Sequence, residues 1–440
     1  MICFKVCRRL TLLTKRFYDV KVSYSQFKNV DSFKLSLDED KKYAALYVHW
    51  PYCRKRCPYC NFNKYINEDV NEERMKNCLT KELDTLLEKS CINKLTTVFF
   101  GGGTPSLASP DTVKAVIDRA KSHGNLDQDA EITIEVNPTG IEANKLKAFK
   151  DAGVNRISVG LQCLDQNGLV FLGRDHTVEE GLRCLSEAKS LLPGRVSVDL
   201  IFGRPQQTKE TWKQELKQLL SVCDNHISLY QLTPERGTTL YKQIQQQNVL
   251  LPSTEEMADL YKIAVEYLHN NGYERYEVSN FAKEASYSHH NLIYWTGGEY
   301  IGIGPGAHGR LWMYNTDEDR YVREARTQTL EPPNWMAEVE KYGHATRRII
   351  KQNTHDRAIE LLMTSLRTKW GLSNQVWRKV YPVGLFQLYG SSETFNFLQS
   401  ADFLQLDKRG LRATEKGIAV VDSLIVELVS ILNQNSSSSK

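Results

Sequence analysis

The sequence has neither a long apolar run nor a large excess of charge of one sign. Its longest apolar stretches, such as the one around Leu424 to Leu432, fall short of the roughly 20 residues that a membrane-spanning helix needs. We therefore expect no transmembrane segment. The net charge of +4 is small for a chain of 440 residues, which argues against a nucleic-acid partner.

Acidic residues are absent from the first 18 residues, which contain five basic ones. The basic residues alternate with apolar side chains such as Phe4, Val6 and Leu10, as in an amphipathic mitochondrial presequence. A frayed basic terminus is the alternative interpretation of the same composition. We predict a presequence over residues 1–18 and a mitochondrial location.

The chain also lacks the cysteine density of a disulfide-stapled protein. It has ten cysteines in 440 residues, and they are scattered apart from one group of three. This distribution argues against a disulfide framework and favours a reducing compartment.

Short β-branched and aromatic runs alternate with longer amphipathic patterns from Tyr43 to about Asn280. Such alternation predicts an α/β fold with a parallel sheet and right-handed crossovers, either doubly wound or closed towards a barrel. The predicted strands are 44–49, 95–100, 131–136, 156–161, 196–202, 227–232 and, as the least regular, 275–278.

Chemically distinctive residues follow the ends of these strands. A cysteine loop follows the first strand and a glycine run follows the second, and polar residues follow the later ones. In a barrel the carboxyl ends of the strands share one rim, so these residues would face a common site. A doubly wound sheet would instead concentrate function at one switch point. The spread of distinctive residues over successive strands favours a full or partial barrel.

Three cysteines lie close together in the segment PYCRKRCPYC, residues 51–60. A glutaredoxin-type redox site needs only Cys57 and Cys60, on a fold of about 100 residues, and leaves Cys53 idle. Zinc usually takes four ligands, and no second Cys-x-x-Cys pair follows, although His49 or a distant histidine could complete a site. Spacings of four and three let one loop hold three corners of a 4Fe-4S cluster, with one iron left for a cofactor or substrate.

The cysteine spacing after the first strand is similar to the signature of radical S-adenosylmethionine (SAM) enzymes. The run Gly-Gly-Gly-Thr-Pro at 101–105, after the second strand, matches the second motif of that superfamily. The resemblance implies a partial (β/α)6 barrel of the TIM-like radical SAM type. It also implies that Cys53, Cys57 and Cys60 hold a 4Fe-4S cluster, whose open iron is chelated by SAM, and that an electron from the cluster cleaves SAM to a 5'-deoxyadenosyl radical.

Residues that contact SAM are implied by the same resemblance. Glycines without Cβ atoms let the backbone approach the methionine end of SAM, whereas a glycine run alone is equally typical of a tight βα turn. Tyr59 would lie beside the adenine. The implied SAM-binding residues are Tyr47, Tyr59, Gly102, Gly103, Thr104, Glu135, Gln162, Arg174 and Asp199.

Further segments resemble the branch that holds oxygen-independent coproporphyrinogen dehydrogenase and the HemW-type haem chaperones. They lie at 47–53, 154–162, 172–176 and 199–203. The dehydrogenases carry a further cysteine two residues after the loop, where this chain has Phe62, and a long N-terminal extension, whereas only about 40 residues precede the first strand here. Both departures argue against dehydrogenase activity.

The segment HNLIYW at 290–295 resembles the His-Asn-x-x-Tyr-Trp motif of HemW proteins. A neutral histidine can ligate haem iron, and tyrosine and tryptophan offer flat apolar contacts to a porphyrin. A packed or capping histidine is the alternative interpretation. The resemblance implies haem binding by His290, Asn291, Tyr294 and Trp295.

A glycine-rich segment, GIGPGAHG at 302–309, follows this motif. It opens no convincing strand–helix unit, so we do not expect a dinucleotide site there. His308 in this segment and His289 before it stay open as alternative haem ligands.

We place the barrel at 40–282, a linker region with the candidate haem motif at 283–350, a helical, winged-helix-like domain at 351–434 and a disordered tail at 435–440. In the winged-helix-like domain helices precede a hairpin with a turn at 407–410, and a helix starts at Glu415. No basic stripe marks this domain, so we expect it to serve in structural packing rather than DNA binding.

We therefore predict a mitochondrial haem chaperone that carries a 4Fe-4S cluster, binds SAM and delivers haem to respiratory-chain haemoproteins. The alternatives are oxygen-independent coproporphyrinogen III dehydrogenase, another radical SAM enzyme of unknown substrate, and a zinc or thiol redox module. Whether the chain catalyses a reaction is left open by its sequence.

Overall fold

The computed structural model of the chain describes residues 43–67, 69–122, 126–283 and 286–437. The predicted presequence at 1–18 lies outside these residues. The described residues form two compact units. The barrel unit comprises residues 43–294 and 298–351, and the C-terminal unit comprises residues 295–297 and those from Gln352 onward. No helix in the described ranges is long and apolar enough to cross a membrane.

The strands of the barrel unit match the predicted alternation closely. They are β1 (Tyr43–Trp50), β2 (Tyr52–Cys53), β3 (Tyr65–Ile66), β4 (Lys94–Gly102), β5 (Leu126–Val136), β6 (Arg156–Gln162), β7 (Val196–Phe202), β8 (His226–Gln231), β9 (Glu274–Arg275), β10 (Asn280–Ala282), β11 (Glu299–Ile303), β12 (His308–Asn315), β13 (Arg320–Gln328) and β14 (Thr346–Lys351).

Six of these strands form the parallel half of a barrel. β1, β4, β5, β6, β7 and β8 lie side by side in chain order, and each pairs in parallel with the next. This arrangement confirms the predicted α/β fold with a partial (β/α)6 barrel. The seventh predicted strand, 275–278, is present only as the two residues of β9, because the chain turns back at once into β10, which pairs antiparallel with both β9 and β8.

Helices alternate with the parallel strands, and α10 and α11 follow them in the chain. They are α1 (Glu72–Lys89), α2 (Pro110–Ser122), α3 (Gly140–Ala143), α4 (Leu146–Asp151), α5 (Gln166–Phe171), α6 (Val178–Leu191), α7 (Lys209–Val222), α8 (Thr239–Gln245), α9 (Thr254–Asn270), α10 (His289–Trp295) and α11 (Pro332–Tyr342).

The spacing of apolar residues explains how these helices pack. In α1 the buried residues Met75, Leu79, Leu83 and Leu86 recur at intervals of three and four, which puts them on one face. α6 and α9 begin at capping boxes, in which a Thr or Ser and a Glu satisfy the first free backbone N–H groups. The helices therefore start where the sequence supplies a cap and bury one stripe against the sheet.

The strands carry different residues on their two faces. One face is apolar and joins the helices in a single core, as Leu46, Val98 and Ile134 do. Successive side chains of a strand point to opposite faces, so Tyr47, Phe99 and Glu135 lie on the other side of the same strands. We call this second side the inner face. It carries the polar residues of the strands and the candidate site.

The predicted linker region, 283–350, is not a linker. It supplies α10, α11 and the four strands β11 to β14, and β11 pairs in parallel with β1 while β12 to β14 continue the same sheet antiparallel. The barrel unit therefore runs through Lys351. Charged residues hide this pattern in the sequence, because Arg323, Glu324 and Arg326 of β13 are buried and paired.

The C-terminal unit combines helices with a three-stranded sheet in the order β15–β17–β16. The β16–β17 hairpin turns at 407–410, as predicted, and Arg412 forms an ion pair of 2.6 Å with Asp407 across it. This arrangement confirms the helical, winged-helix-like prediction. The last helix runs through Ser437, so the predicted tail at 435–440 begins within a helix. The elements are α12 (Thr354–Ser365), β15 (Leu372–Ser373), α13 (Asn374–Val380), α14 (Leu385–Tyr389), α15 (Glu393–Ser400), β16 (Leu404–Asp407), β17 (Gly410–Ala413), α16 (Glu415–Ile418) and α17 (Val421–Ser437).

Candidate functional site

The three cysteines lie on one loop at the carboxyl end of β1. Cys53 is in β2, which pairs with β3, and the Tyr65 N–H closes the loop by donating to the Pro51 carbonyl at 2.8 Å. Cys53 is buried, whereas Cys57 and Cys60 are half-buried. A short closed loop therefore presents three thiol groups of graded exposure at the rim of the barrel.

Donor groups from other strands reach two of the sulfur atoms. The Thr104 hydroxyl lies 3.4 Å from Cys53 Sγ, and Arg174 Nη1 lies 3.4 Å from Cys57 Sγ. Burial, with the nearby Cys60 and Cys57 adding to the shift, raises the pKa of Cys53 to about 11. A hydroxyl and a guanidinium beside sulfur would stabilise thiolates that bind a metal cluster.

The described ranges contain no group of three or more His, Cys, Asp or Glu side chains that converges on a single metal ion. The cysteine ligands of a 4Fe-4S cluster bind different irons and need not converge on one point. Cluster binding by Cys53, Cys57 and Cys60 stays a prediction.

The glycine run after β4 is pressed against the cysteine loop. A Cβ atom on Gly103 would lie 2.8 Å from the Pro51 carbonyl carbon and 2.8 Å from the Tyr52 oxygen, closer than real Cβ contacts allow. Gly102 has a positive φ of 112°, and its Cβ would lie 2.6 Å from the His49 ring. The immediate reason for these glycines is thus the contact between two protein segments, in addition to any approach of SAM.

Two carboxyl groups lie on the inner face near this run. Glu135 accepts the Gly102 N–H at 3.2 Å, and Asp199 accepts the Ser158 hydroxyl at 3.1 Å. Burial raises the pKa of Glu135 to about 8, with Asp199 adding to the shift, and burial raises the pKa of Asp199 to about 6. Two acids with unused acceptor capacity can take the amino and hydroxyl groups of a ligand.

Arg174 connects the cysteine loop to the end of β5. Besides Cys57, its guanidinium donates to Asn137 Oδ1, and its Nε is buried without a partner among the described residues. Tyr59 lies beside it, and burial raises the pKa of the Tyr59 phenol well above its usual value. Arg174 can therefore stabilise negative charge at the cluster loop while one donor is left for a ligand.

Gln162 ends β6 in a strained backbone conformation. Its φ is +67°, in the left-handed region that non-glycine residues seldom adopt. Such outliers cluster at binding sites because the surrounding structure must hold them in place.

Seven of the nine predicted SAM residues lie on loops or at strand ends of this rim, whereas Tyr47 and Asp199 lie within β1 and β7. The sequence did not single out Asn63, which ties the cysteine loop to a distant segment. Its side-chain amide donates to the Pro305 carbonyl at 2.9 Å and to the Leu330 carbonyl at 3.0 Å. A Cβ atom on Gly306 would lie 2.5 Å from Asn63 Nδ2, so the glycine-rich segment makes room for this contact. The feature of the sequence that could have pointed to Asn63 is its side-chain amide, three residues after the last cysteine of the loop.

His290 is enclosed by side chains of the barrel unit. It is 1% exposed and stacks on Phe99 at 4.9 Å between ring centres. Its Nδ1 is 2.8 Å from the Thr97 hydroxyl and its Nε2 is 2.7 Å from the Tyr294 hydroxyl. Burial lowers its pKa to about 3. Both ring nitrogens are engaged with protein groups, as in the packed histidine that the sequence left as the alternative interpretation.

The other residues of this motif belong to the same helix. The Asn291 N–H donates to the Ser288 hydroxyl at 3.4 Å, and Tyr294 packs edge-on against Tyr300 at 4.6 Å between ring centres. Trp295 is the last residue of α10 and is half-buried. Haem binding by these residues stays a prediction.

Comparisons with known proteins agree with this architecture. The model of the radical SAM superfamily matches residues 47–219, and that of the HemN C-terminal domain matches residues 353–420. Radical S-adenosyl methionine domain-containing protein 1, mitochondrial, from Danio rerio is 46% identical over 94% of each chain, and the protein of that name from Mus musculus is 48% identical over 89% of this chain and 88% of its own.

A bacterial relative and a solved structure extend the comparison. Heme chaperone HemW from Bacillus subtilis is 32% identical over 79% of this chain and 89% of its own. The structure described as "Coproporphyrinogen III oxidase (HemN) from Escherichia coli is a Radical SAM enzyme" covers 89% of this chain and 90% of its own with a TM-score of 0.72, at 21% identity, which shows a shared fold. The names of the two vertebrate relatives confirm the predicted mitochondrial location.

Proposed function

The chain belongs to the radical SAM superfamily, in the family of mitochondrial radical SAM domain-containing protein 1 and the HemW haem chaperones, and from this membership we propose that it binds haem and delivers it to respiratory-chain haemoproteins. The observation that carries the proposal is the extent of the match to the HemW protein of Bacillus subtilis. The match spans 89% of that protein, so it is not confined to the barrel that all radical SAM proteins share.

The residues at the rim fit a 4Fe-4S cluster and SAM. Cys53, Cys57 and Cys60 would hold three irons, and the groups that already contact their sulfurs would compensate the negative charge of the thiolates. When bound, the cluster would supply an electron for the reductive cleavage of SAM.

The carboxyl of Glu135 is positioned to accept a hydrogen bond from the amino group of SAM. It uses one acceptor site for the Gly102 N–H, which leaves lone pairs for a second donor. A pKa raised to about 8 means that the carboxyl keeps its proton at neutral pH until a cation arrives. Binding of an ammonium group would therefore release a proton from Glu135 and fix its charge beside the ligand.

Phe62 supports the chaperone over the dehydrogenase. It stands where the dehydrogenases have a further cysteine. Its side chain is 51% exposed and offers an apolar surface on the cysteine loop. Its place offers no thiol for redox or radical chemistry. The likeness to the HemN structure supports the fold alone.

A transfer assay tests the proposal directly. The anaerobically reconstituted full-length protein is loaded with haem, separated from free haem and mixed with an apo-form of a respiratory-chain haemoprotein. We expect saturable haem binding followed by transfer faster than release to a non-specific acceptor such as serum albumin. Absence of saturable binding, or turnover of coproporphyrinogen III to protoporphyrinogen under the same conditions, would overturn the chaperone proposal.

A further inference from the structure

The inner face of the sheet continues past the SAM rim onto β12, β13 and β14. β1 pairs Tyr47 with Gly302 of β11, and β11 pairs Tyr300 with Arg310 of β12. Residues that are paired across strands lie on the same face of a sheet. The surface that carries Tyr47 therefore extends without a break to Arg310 and, two residues before it, to His308.

Two rows of side chains cross these three strands. The first row consists of His308, Thr327 and Arg348, and the second consists of Arg310, Ala325 and Ile350. Neighbouring strands are about 4.8 Å apart and the two rows are about 7 Å apart along the strands. We call these six residues the inner-face patch. Every member is half-buried or exposed, so the patch is open to a ligand.

His308 has the geometry of a histidine that can bind iron. Its Nδ1 lies 3.4 Å from the Thr327 hydroxyl, and within the described part of the chain its Nε2 has no hydrogen-bond partner. Ligating histidines use one nitrogen for the metal and orient the ring through the other. Burial, with Arg310 and Arg348 nearby, lowers the pKa of His308 to about 4, so the ring is neutral at physiological pH. His290, by contrast, has both nitrogens occupied.

The rest of the patch matches the other parts of a haem molecule. Ala325 and the 44%-exposed Ile350 offer an apolar surface for the porphyrin. Arg348 is exposed, and its guanidinium contacts no acid among the residues that the structure describes. It lies two strands from His308, roughly 10 Å across the sheet, at the open edge. A guanidinium at that position can form an ion pair with a carboxylate at the edge of a flat ligand.

We propose that the inner-face patch is the haem-binding site, with His308 as the axial ligand and the haem propionates bound by Arg348 and Arg310. The inference rests on the proposed function, since it names the site at which that function takes place. It puts haem next to the SAM rim, because the inner-face patch and Tyr47 share one continuous sheet surface.

A haem titration followed at the Soret band tests the axial ligand in the reconstituted full-length protein. His308→Ala is compared with His269→Ala, which removes an exposed histidine from the end of α9. We expect His308→Ala to weaken binding at least tenfold and shift the Soret maximum, and we expect added imidazole to restore the wild-type spectrum. His269→Ala should behave as wild type.

A second pair of variants tests the propionate contacts. Arg348→Gln removes one of the two guanidinium groups of the inner-face patch, and Arg347→Gln removes its exposed neighbour, which points to the opposite face of the same strand. We expect Arg348→Gln to weaken haem binding several-fold and to leave the binding of haem dimethyl ester, which has no carboxylates, unchanged. Arg347→Gln should affect neither ligand.

The outcomes separate this inference from the proposed function. Saturable binding by the wild type that is the same in His308→Ala, or a loss in Arg348→Gln that is equal for haem and its dimethyl ester, would overturn the inner-face patch and leave the haem function standing. Absence of saturable binding by the wild type would overturn both.

Discussion

Two histidines of the barrel unit show how differently the same side chain can be placed. His290 belongs to a recognisable motif, yet it is 1% exposed and hydrogen-bonded through both ring nitrogens. His308 belongs to a glycine-rich segment outside that motif, where the sequence left it as an alternative haem ligand, and it is half-buried and bonded through Nδ1 to Thr327. A motif therefore identifies residues that matter to a family, whereas the hydrogen bonds of each residue decide whether it can serve as a ligand or only as part of the core.

The largest expected effect is the loss of the iron–sulfur cluster without loss of haem binding, which distinguishes the cysteine loop from the inner-face patch. Cys57→Ala should abolish the visible thiolate-to-iron absorption and most of the bound sulfide, because a three-cysteine site cannot hold the cluster with two ligands. Haem binding should persist, since the patch shares no residue with the loop. Absorption spectra and sulfide analysis check the first outcome and a Soret titration the second.

The half-buried Cys91 gives a matched control for that prediction. Cys91→Ala should retain the cluster. A cluster that survives in Cys57→Ala would refute the role of Cys57 as a ligand.

The next effect distinguishes a core histidine from a surface one. His290→Ala should lower the free energy of unfolding by about 2–4 kcal/mol, because it leaves a cavity and removes the partners of Thr97 and Tyr294. His308→Ala should cost about 1 kcal/mol or less. Urea denaturation measures both, and equal losses for the two variants would contradict the contrast between the two positions.

A smaller effect is expected where the glycine run meets the cysteine loop. Gly103→Ala should cost about 1–3 kcal/mol and reduce cluster loading, because the new Cβ would displace the backbone of Pro51 and Tyr52. Gly384→Ala is the control, since a Cβ there meets nothing within 4 Å. Denaturation and iron content are the readouts, and a Gly103→Ala protein with wild-type loading would show that the two segments are not tightly packed.

The smallest effect concerns the pH dependence of stability. Glu135 has a pKa of about 8 in the folded protein, above its ordinary value of 4.5, so the folded state holds a proton that the unfolded state releases between these values. Stability without SAM should therefore fall as the pH rises from about 5 to about 8. Glu135→Gln should flatten that fall, and unfolding curves at several pH values measure it.

The Asp199→Asn variant separates the contribution of Asp199 to this pH dependence from that of Glu135. Asp199 has a pKa of about 6, so its replacement should flatten the profile only below about pH 6. A profile that keeps its full slope above pH 6 in Glu135→Gln would rule out Glu135 as the source.

Much of the barrel could be predicted from the sequence because its strands are short apolar runs separated by amphipathic helices. The strand predicted at 196–202 has the observed bounds, and the rim followed from the residues that come after each strand. β13 could not be recognised in the same way. Its buried Arg326–Glu324 and Arg323–Glu299 pairs look like solvent-exposed charges in a sequence, and only the paired strands show that they neutralise each other.

The residues of the candidate site likewise differ in whether the sequence alone can predict their role. The cysteines and glycines are predictable because their chemistry depends on local spacing within one loop or turn. The state of His290 depends on Thr97 and Phe99, which lie almost 200 residues earlier in the chain. The inner-face patch depends on the register of three strands, which the sequence alone does not specify.

The most direct test of the account is site-resolved modification of histidines by diethyl pyrocarbonate, with and without haem, read by mass spectrometry. We predict that His308 reacts in the folded protein and is protected by haem, whereas His290 reacts only on unfolding. Reaction of His290 in the folded protein together with its protection by haem, while His308 is indifferent to haem, would contradict the account and return the site to α10.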